Sequence, residues 1–140
     1  MSEAVTVDAS VFVNAFSPTE AGSDRSWEFI HSLKEAGTPV IVPALLLPEI
    51  TAAIARRQDN TTLGLQLVQE VRDIPTLTIV PLDESLAEQA IEIAATHRLR
   101  GSDAVYAAVA ARFGTQMVTL DREQLARLEG VAPVREPGSK

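Results

Sequence analysis

Ala4-Val5-Thr6-Val7-Asp8, near the start of the chain, and Gln116-Met117-Val118-Thr119-Leu120-Asp121, near its end, share one pattern: a short, largely apolar run that stops on an aspartate. Runs of this kind without polar alternation belong to strands buried on both faces, as in parallel sheets. The sequence between them alternates helical and extended signals. After Asp8, Ser10 to Phe16 reads as a short helix closed by Ser17-Pro18. Ser23-Asp24 opens a longer helix to about Ala36, with Trp27, Ile30, Leu33 and Lys34 at helical spacing and Gly37 as its stop. The Thr38-Pro39 turn leads into a strand at Val40-Ile41-Val42. Pro43 and Pro48 bracket the next segment, so a helix is expected to become regular near Pro48 and to run through Ile50 and Ile54 to Arg57. A turn at Asp59-Asn60-Thr61 precedes an amphipathic helix carrying Leu63, Leu67, Val68 and Val71, which ends before Pro75, and Leu77 to Val80 is the next strand.

Reading backward from the second strand, Ser102-Asp103 opens a helix that is apolar nearly all round, with Val105, Tyr106, Val109 and Ala110, and Gly114 closes it. A helix of that composition belongs at the centre of a domain. Upstream of it, Asp83 to about Leu99 forms a helix with Leu86, Ala90, Ile93, Ala94 and His97 on one face, and Gly101 is read as its stop. Beyond Asp121, Arg122 to Leu128 form a short helix, Val131 to Val134 a last edge strand, and residues 135–140 a loose tail. The pattern predicts an α/β domain over residues 1–134, with a mostly parallel sheet of four to five strands covered on both faces. No repeat, low-complexity segment or linker interrupts it.

The 140 residues suffice for one core without staples, and the absence of cysteine excludes disulfides, thiolate zinc sites and thiol nucleophiles. That absence, and a start lacking a basic segment and long apolar run, lead us to expect a soluble, unprocessed, cytoplasmic protein away from membranes. The formal charge of −7 opposes nucleic-acid binding, unless bound cations offset part of it. The two lysines are Lys34 and Lys140, so phosphate contacts must come from arginines such as Arg56, Arg57, Arg98 and Arg100.

Asp8, Glu49, Asp103 and Asp121 stand at two strand ends and two helix starts, all of which open on one edge of a parallel sheet. Singly, three have structural explanations. Asp8 caps the helix after it, Asp103 complements a helix dipole, and Asp121 with Gln124 resembles a capping box. Glu49 is harder to explain this way, because Leu45, Ile50, Ala53 and Ile54 surround it and a half-buried carboxylate needs a partner. Together, four converging carboxylates either take up protons or hold a divalent cation. Oxygen donors alone favour magnesium or manganese over zinc. His31 and His97 lack partners at metal spacing, and Trp27, Phe29 and Phe113 read as core or partner-contact surface.

With these residues in place the sequence resembles the PIN-domain nucleases, and among them the VapC-type toxins. The resemblance rests on Val7-Asp8-Ala9-Ser10-Val11-Phe12, Leu47-Pro48-Glu49-Ile50, Ser102-Asp103-Ala104-Val105-Tyr106-Ala107-Ala108-Val109-Ala110 and Val118-Thr119-Leu120-Asp121. It spans nearly the whole chain. It implies a three-layer α/β/α domain and an Mg2+- or Mn2+-dependent ribonuclease. In that enzyme Asp8, Glu49, Asp103 and Asp121 are catalytic metal-site carboxylates, supported by Ser10 and Thr119. It also implies an RNA substrate, a homodimer and a small antitoxin partner. The rivals within this resemblance are a catalytically silent PIN-like binding module and an RNA-processing nuclease that is not a toxin. Receiver and phosphatase domains also gather acids around magnesium. They fit less well, since no lysine stands at a late strand end and Ser10 occupies the place of the phosphatase's second aspartate.

Overall fold

The computed structural model describes residues 3–138. The elements are β1 (Val5–Val7), α1 (Ala9–Ala15), α2 (Ser23–Ala36), β2 (Val40–Pro43), α3 (Leu46–Arg57), α4 (Thr61–Arg72), β3 (Leu77–Val80), α5 (Glu84–His97), α6 (Gly101–Phe113), β4 (Gln116–Val118), α7 (Arg122–Arg127) and β5 (Val134–Arg135). All five strands pair in parallel in the order β3-β2-β1-β4-β5, with Val5 opposite Val40 on one side and Gln116 on the other. Parallel pairs need crossover connections, and these connections are right-handed. The helices between β1 and β3 therefore lie on one face and those between β3 and β5 on the other. The result is the expected three-layer α/β/α fold, with a sheet that is wholly parallel.

The core follows the patterns read from the sequence. Val5, Val7, Val40, Val42, Met117 and Val118 are buried on the strands, and α6 is buried continuously from Asp103 to Ala110 against β1, β2 and β4. Its alanines let the helix lie close on the sheet. Thr6 is polar yet fully buried, because its hydroxyl is bonded to the Ile41 carbonyl at 2.7 Å and to Thr115 Oγ1 at 2.6 Å.

Several boundaries differ from expectation. Helix α3 begins at Leu46, which places Pro48 at the third helical position, where its missing N–H is still no loss. Gly101 does not stop α5. Arg98 does so in a left-handed conformation at φ 57°, and Gly101 is the first residue of α6. The last strand is Val134–Arg135 rather than 131–134, and Pro137 is buried, so the packed chain continues past the boundary expected at 134. Of the tail expected over 135–140, residues 139–140 lie outside the described residues. Among the described residues no helix is long and apolar enough to cross a membrane.

Helices α3 and α4 cross closely at Gly64, where an added Cβ would lie 2.9 Å from the Thr51 carbonyl oxygen and 3.5 Å from Ala55. Backbone on the opposing helix cannot swing aside as a side chain can. Gly64→Val is therefore expected to destabilise the domain by about 2 kcal/mol through overpacking, despite removing a helical glycine, as read from the midpoint of urea unfolding.

Candidate active site

In sheet order β1 lies between β2 and β4, so the chain reverses direction across the sheet between β1 and β4. Crevices form beyond the carboxyl ends of strands at such a point. Asp8 immediately follows β1, and Asp121 follows β4 after Thr119 and Leu120. Helix α3 brings Glu49 in its first turn, and α6 brings Asp103 in its own. All four carboxylates line one open cleft of about 780 Å³, together with Ser10, Asn14, Arg56, Arg57 and Arg100. The arrangement expected from the sequence is thus present as geometry.

Structural and site roles are divided between the two oxygens of a carboxylate. Asp8 caps α1 through Oδ2, which accepts from Ser10 N at 3.1 Å, while Oδ1 faces Gln124 Nε2 at 3.4 Å. Asp121 caps α7 through Oδ1, accepting from Glu123 N at 2.8 Å and Gln124 N at 3.0 Å, and turns Oδ2 to Arg100. The capping explanation and the site explanation hold together. Ser10 and Thr119 tie the two strand ends to each other. Ser10 Oγ accepts from Leu120 N at 3.0 Å, and Thr119 Oγ1 accepts from Asp121 N at 3.0 Å while donating to Asp8 Oδ2 at 3.3 Å. With those amides taken by side chains, β4 ends at Val118 instead of running to Leu120.

Four contributors were not anticipated in these roles. Gln124, fully buried, donates through Nε2 to Asp103 Oδ1 at 2.8 Å as well as to Asp8, so one amide spans the two buried aspartates. Its Oε1 is buried with no hydrogen-bond partner among the described residues. Tyr106 donates its hydroxyl to Glu49 Oε1 at 2.6 Å, which supplies the partner that a half-buried glutamate requires. Arg100 donates through Nε to Asp103 Oδ2 at 2.9 Å and through a terminal nitrogen to Asp121 Oδ2 at 2.6 Å. Glu123 joins Asp103 and Asp121 in offering carboxylate oxygens within 4.8 Å of one another. The resemblance to a capping box was the one sequence signal for Gln124, and its side chain points away from the cap into the site.

Burial sets the electrostatics. Asp8 and Asp103 are 7% and 6% exposed. Burial pushes the Asp8 carboxyl above its ordinary range, against the hydrogen bonds from Ser10 and Gln124, and the Asp103 charge adds to the rise. Glu49 is raised as well, first by burial and then by the charges of Asp8 and Asp103, against the Tyr106 hydroxyl and Arg100. Burial, followed by the Asp8 charge and the bond to Glu49, pushes the Tyr106 phenol well above its usual value, so it stays a donor. His31 pairs with Glu35 at 3.1 Å, and neither histidine lines the cleft.

The sequence matches the PIN domain family model over residues 5–131. The chain belongs to the PIN domain family. No curated protein matches its sequence, but solved structures resemble this PIN domain along most of its length. A Mycobacterium tuberculosis VapC20, described as a sarcin-ricin loop cleaving toxin, is 19% identical with a TM-score of 0.72, covering 88% of this chain and 94% of that one. A Rickettsia felis VapBC2 bound to a promoter DNA fragment is 10% identical with a TM-score of 0.70, covering 94% and 97%. A Neisseria gonorrhoeae FitAcB is 22% identical with a TM-score of 0.70, covering 95% and 97%. At these identities the likeness is one of fold. The carboxylate geometry of this PIN domain is its own evidence for chemistry.

Proposed function

We propose that this PIN domain is a cytoplasmic Mg2+- or Mn2+-dependent ribonuclease that hydrolyses RNA phosphodiester bonds, and that it is the toxin of a toxin–antitoxin pair. One observation carries the nuclease reading: Asp8, Glu49, Asp103 and Asp121 share a cleft at the sheet's switch point, with two of them buried. The partners proposed with it are a small antitoxin protein and a second copy of the chain in a homodimer. Neighbours solved as VapBC assemblies support the antitoxin.

The residues fit a hard divalent cation. Every charged donor is a carboxylate oxygen, two of them are buried, burial makes ionisation of Asp8 costly, and the orphaned Gln124 Oε1 leaves the amide incompletely satisfied. Asp8, Asp103 and Asp121 would hold the ion, and Glu49 lines the same cleft. What such an ion supplies when bound is Lewis acidity toward a phosphoryl oxygen and a water acidified for attack. The chain's own groups do the rest. Gln124 fixes the spacing of Asp8 and Asp103, and Ser10 with Thr119 fixes the loop that carries Asp121. Tyr106 anchors one oxygen of Glu49, while the raised carboxyl of Glu49 makes it a stronger proton acceptor than an ordinary glutamate. Arg56 and Arg57 on the cleft wall would meet the phosphate backbone, and Arg57 would first have to leave Glu20, 2.9 Å away.

The test is incubation of the purified chain with single-stranded and stem-loop RNAs in Mn2+ and in EDTA. Cleavage confined to Mn2+, with 5′-phosphate ends, is the expected result. Tight Mn2+ binding without cleavage of any RNA would instead identify a silent binding module. Growth arrest on expression, relieved by a co-expressed small protein that purifies with the chain, separates a toxin from an RNA-processing enzyme.

A further inference from the structure

Every one of the four cleft carboxylates accepts a hydrogen bond, but the donors differ in kind. Asp8 receives Ser10 N, the Thr119 hydroxyl and the Gln124 amide, and Glu49 receives a phenol. Only Asp103 and Asp121 are bonded to a cation, and it is the same one, Arg100. These two also belong to the group whose oxygens approach closely enough to share an ion. A guanidinium and a divalent cation therefore claim the same carboxylates.

The two claims are unequal. Arg100 is 65% exposed on its side chain, and an ion pair in contact with water is weak. A divalent ion carries twice the charge and binds carboxylates at shorter range. Among the described residues Arg100 makes no other side-chain hydrogen bond. It is the N-cap residue of α6, but its side chain makes no cap hydrogen bond, and the residue after it is a glycine around which an added Cβ would meet nothing. Its long side chain is free to leave and remains on the cleft wall with Arg56 and Arg57.

We propose that Arg100 is an exchange residue: it pairs with Asp103 and Asp121 while the site holds no cation, and turns to a phosphate of the RNA strand when a divalent ion takes those carboxylates. This rests on the nuclease reading and assigns one substrate contact within it. A guanidinium matches a phosphate as well as it matches two carboxylates, so the same group serves both states. The exchange also answers part of the charge problem of the chain. Loading the ion neutralises acids and at the same moment frees a positive charge for the substrate.

The test compares wild type with Arg100→Ala and Arg100→Lys. Titration calorimetry with Mn2+ alone, without RNA, is expected to show Arg100→Ala binding about tenfold tighter, because no guanidinium must be displaced. Cleavage of a short fluorescent RNA at saturating Mn2+ is expected to show KM raised about tenfold in Arg100→Ala, with Arg100→Lys recovering part of it. A residue that merely braced α6 would weaken Mn2+ binding or leave it unchanged, and either result overturns the exchange. So does an unchanged KM. Failure of the wild type to bind Mn2+ at all would overturn the nuclease reading itself. Binding and cleavage by wild type with no change in Arg100→Ala would remove the exchange alone.

Discussion

Asp8→Asn is expected to lose Mn2+-dependent RNA cleavage by about a thousandfold or more, on the scale of removing a preorganised charge from a reaction site, while its circular dichroism stays native. Asparagine keeps the side-chain oxygen that caps α1 through Ser10 N, so the local fold survives the change. Cleavage that persists in this variant and no longer needs metal would sink the mechanism. The same substitution carries a second signature with the opposite sign. Burial raises the Asp8 carboxyl in the folded state, so between its ordinary unfolded pKa and that raised value the native protein binds more protons than the unfolded chain. Stability then falls as pH rises through that window, and the loss persists at neutral pH. In EDTA at pH 7 Asp8→Asn should therefore melt above wild type by a few degrees. The gap should close as pH falls and Asp8 is protonated. Added Mn2+ should reverse the order, since only wild type gains the full linkage to a bound ion. A merely structural aspartate would show none of this reversal.

Phe12→Ala carries the largest expected effect on stability. Phe12 is fully buried on α1, the helix that starts from Asp8 and bears Ser10, and it belongs to the continuous core beneath the site. Truncating it leaves a cavity that closely packed neighbours fill only in part. The cost is about 4 kcal/mol, a large share of the stability of a domain this size. The melting temperature should drop by roughly 10–20 °C. Activity measured well below the new midpoint should fall much less than in Asp8→Asn, because no site group is removed. A small shift in melting would mean that α1 is not anchored through this ring.

The layers were legible because their signals are local. Strands such as the buried Val40–Val42 and the edge strand Leu77–Val80 read from composition, and helix ends at Gly37 and Gly114 read from residues that suit a left-handed stop. Gly101 shows where that logic fails. A glycine between two helices can end one or begin the next, and Arg98 accepted the left-handed position instead. The four acids were legible because each stands just past a strand or in the first turn of a helix. Their hydrogen-bond partners were not. Tyr106 meets Glu49 across 57 positions, and Gln124 meets Asp103 across 21, and no rule of spacing announces such pairs. The need for a partner at Glu49 could be argued from burial alone; which residue meets that need depends on how α6 lies beside α3. Arg100 was visible only as one of several arginines, since an exposed side chain's choice between solvent, acid and phosphate is set in three dimensions.

The position of β1 between β2 and β4 has a further consequence for how the molecule is made. Domains begin to fold from the amino end as the chain leaves the ribosome. β1, β2 and β3 emerge early and can pair, but the slot on the other side of β1 stays open until Gln116–Val118 arrives. Thr119, Asp121 and Gln124 follow it, and the Gln124 bond to Asp8 joins residues 116 positions apart. An unfinished chain thus holds half a cleft and an unpaired strand edge. The cleft is completed only when β4 and the segment after it join the sheet, at the same step that seals the edge of β1 against pairing with other chains.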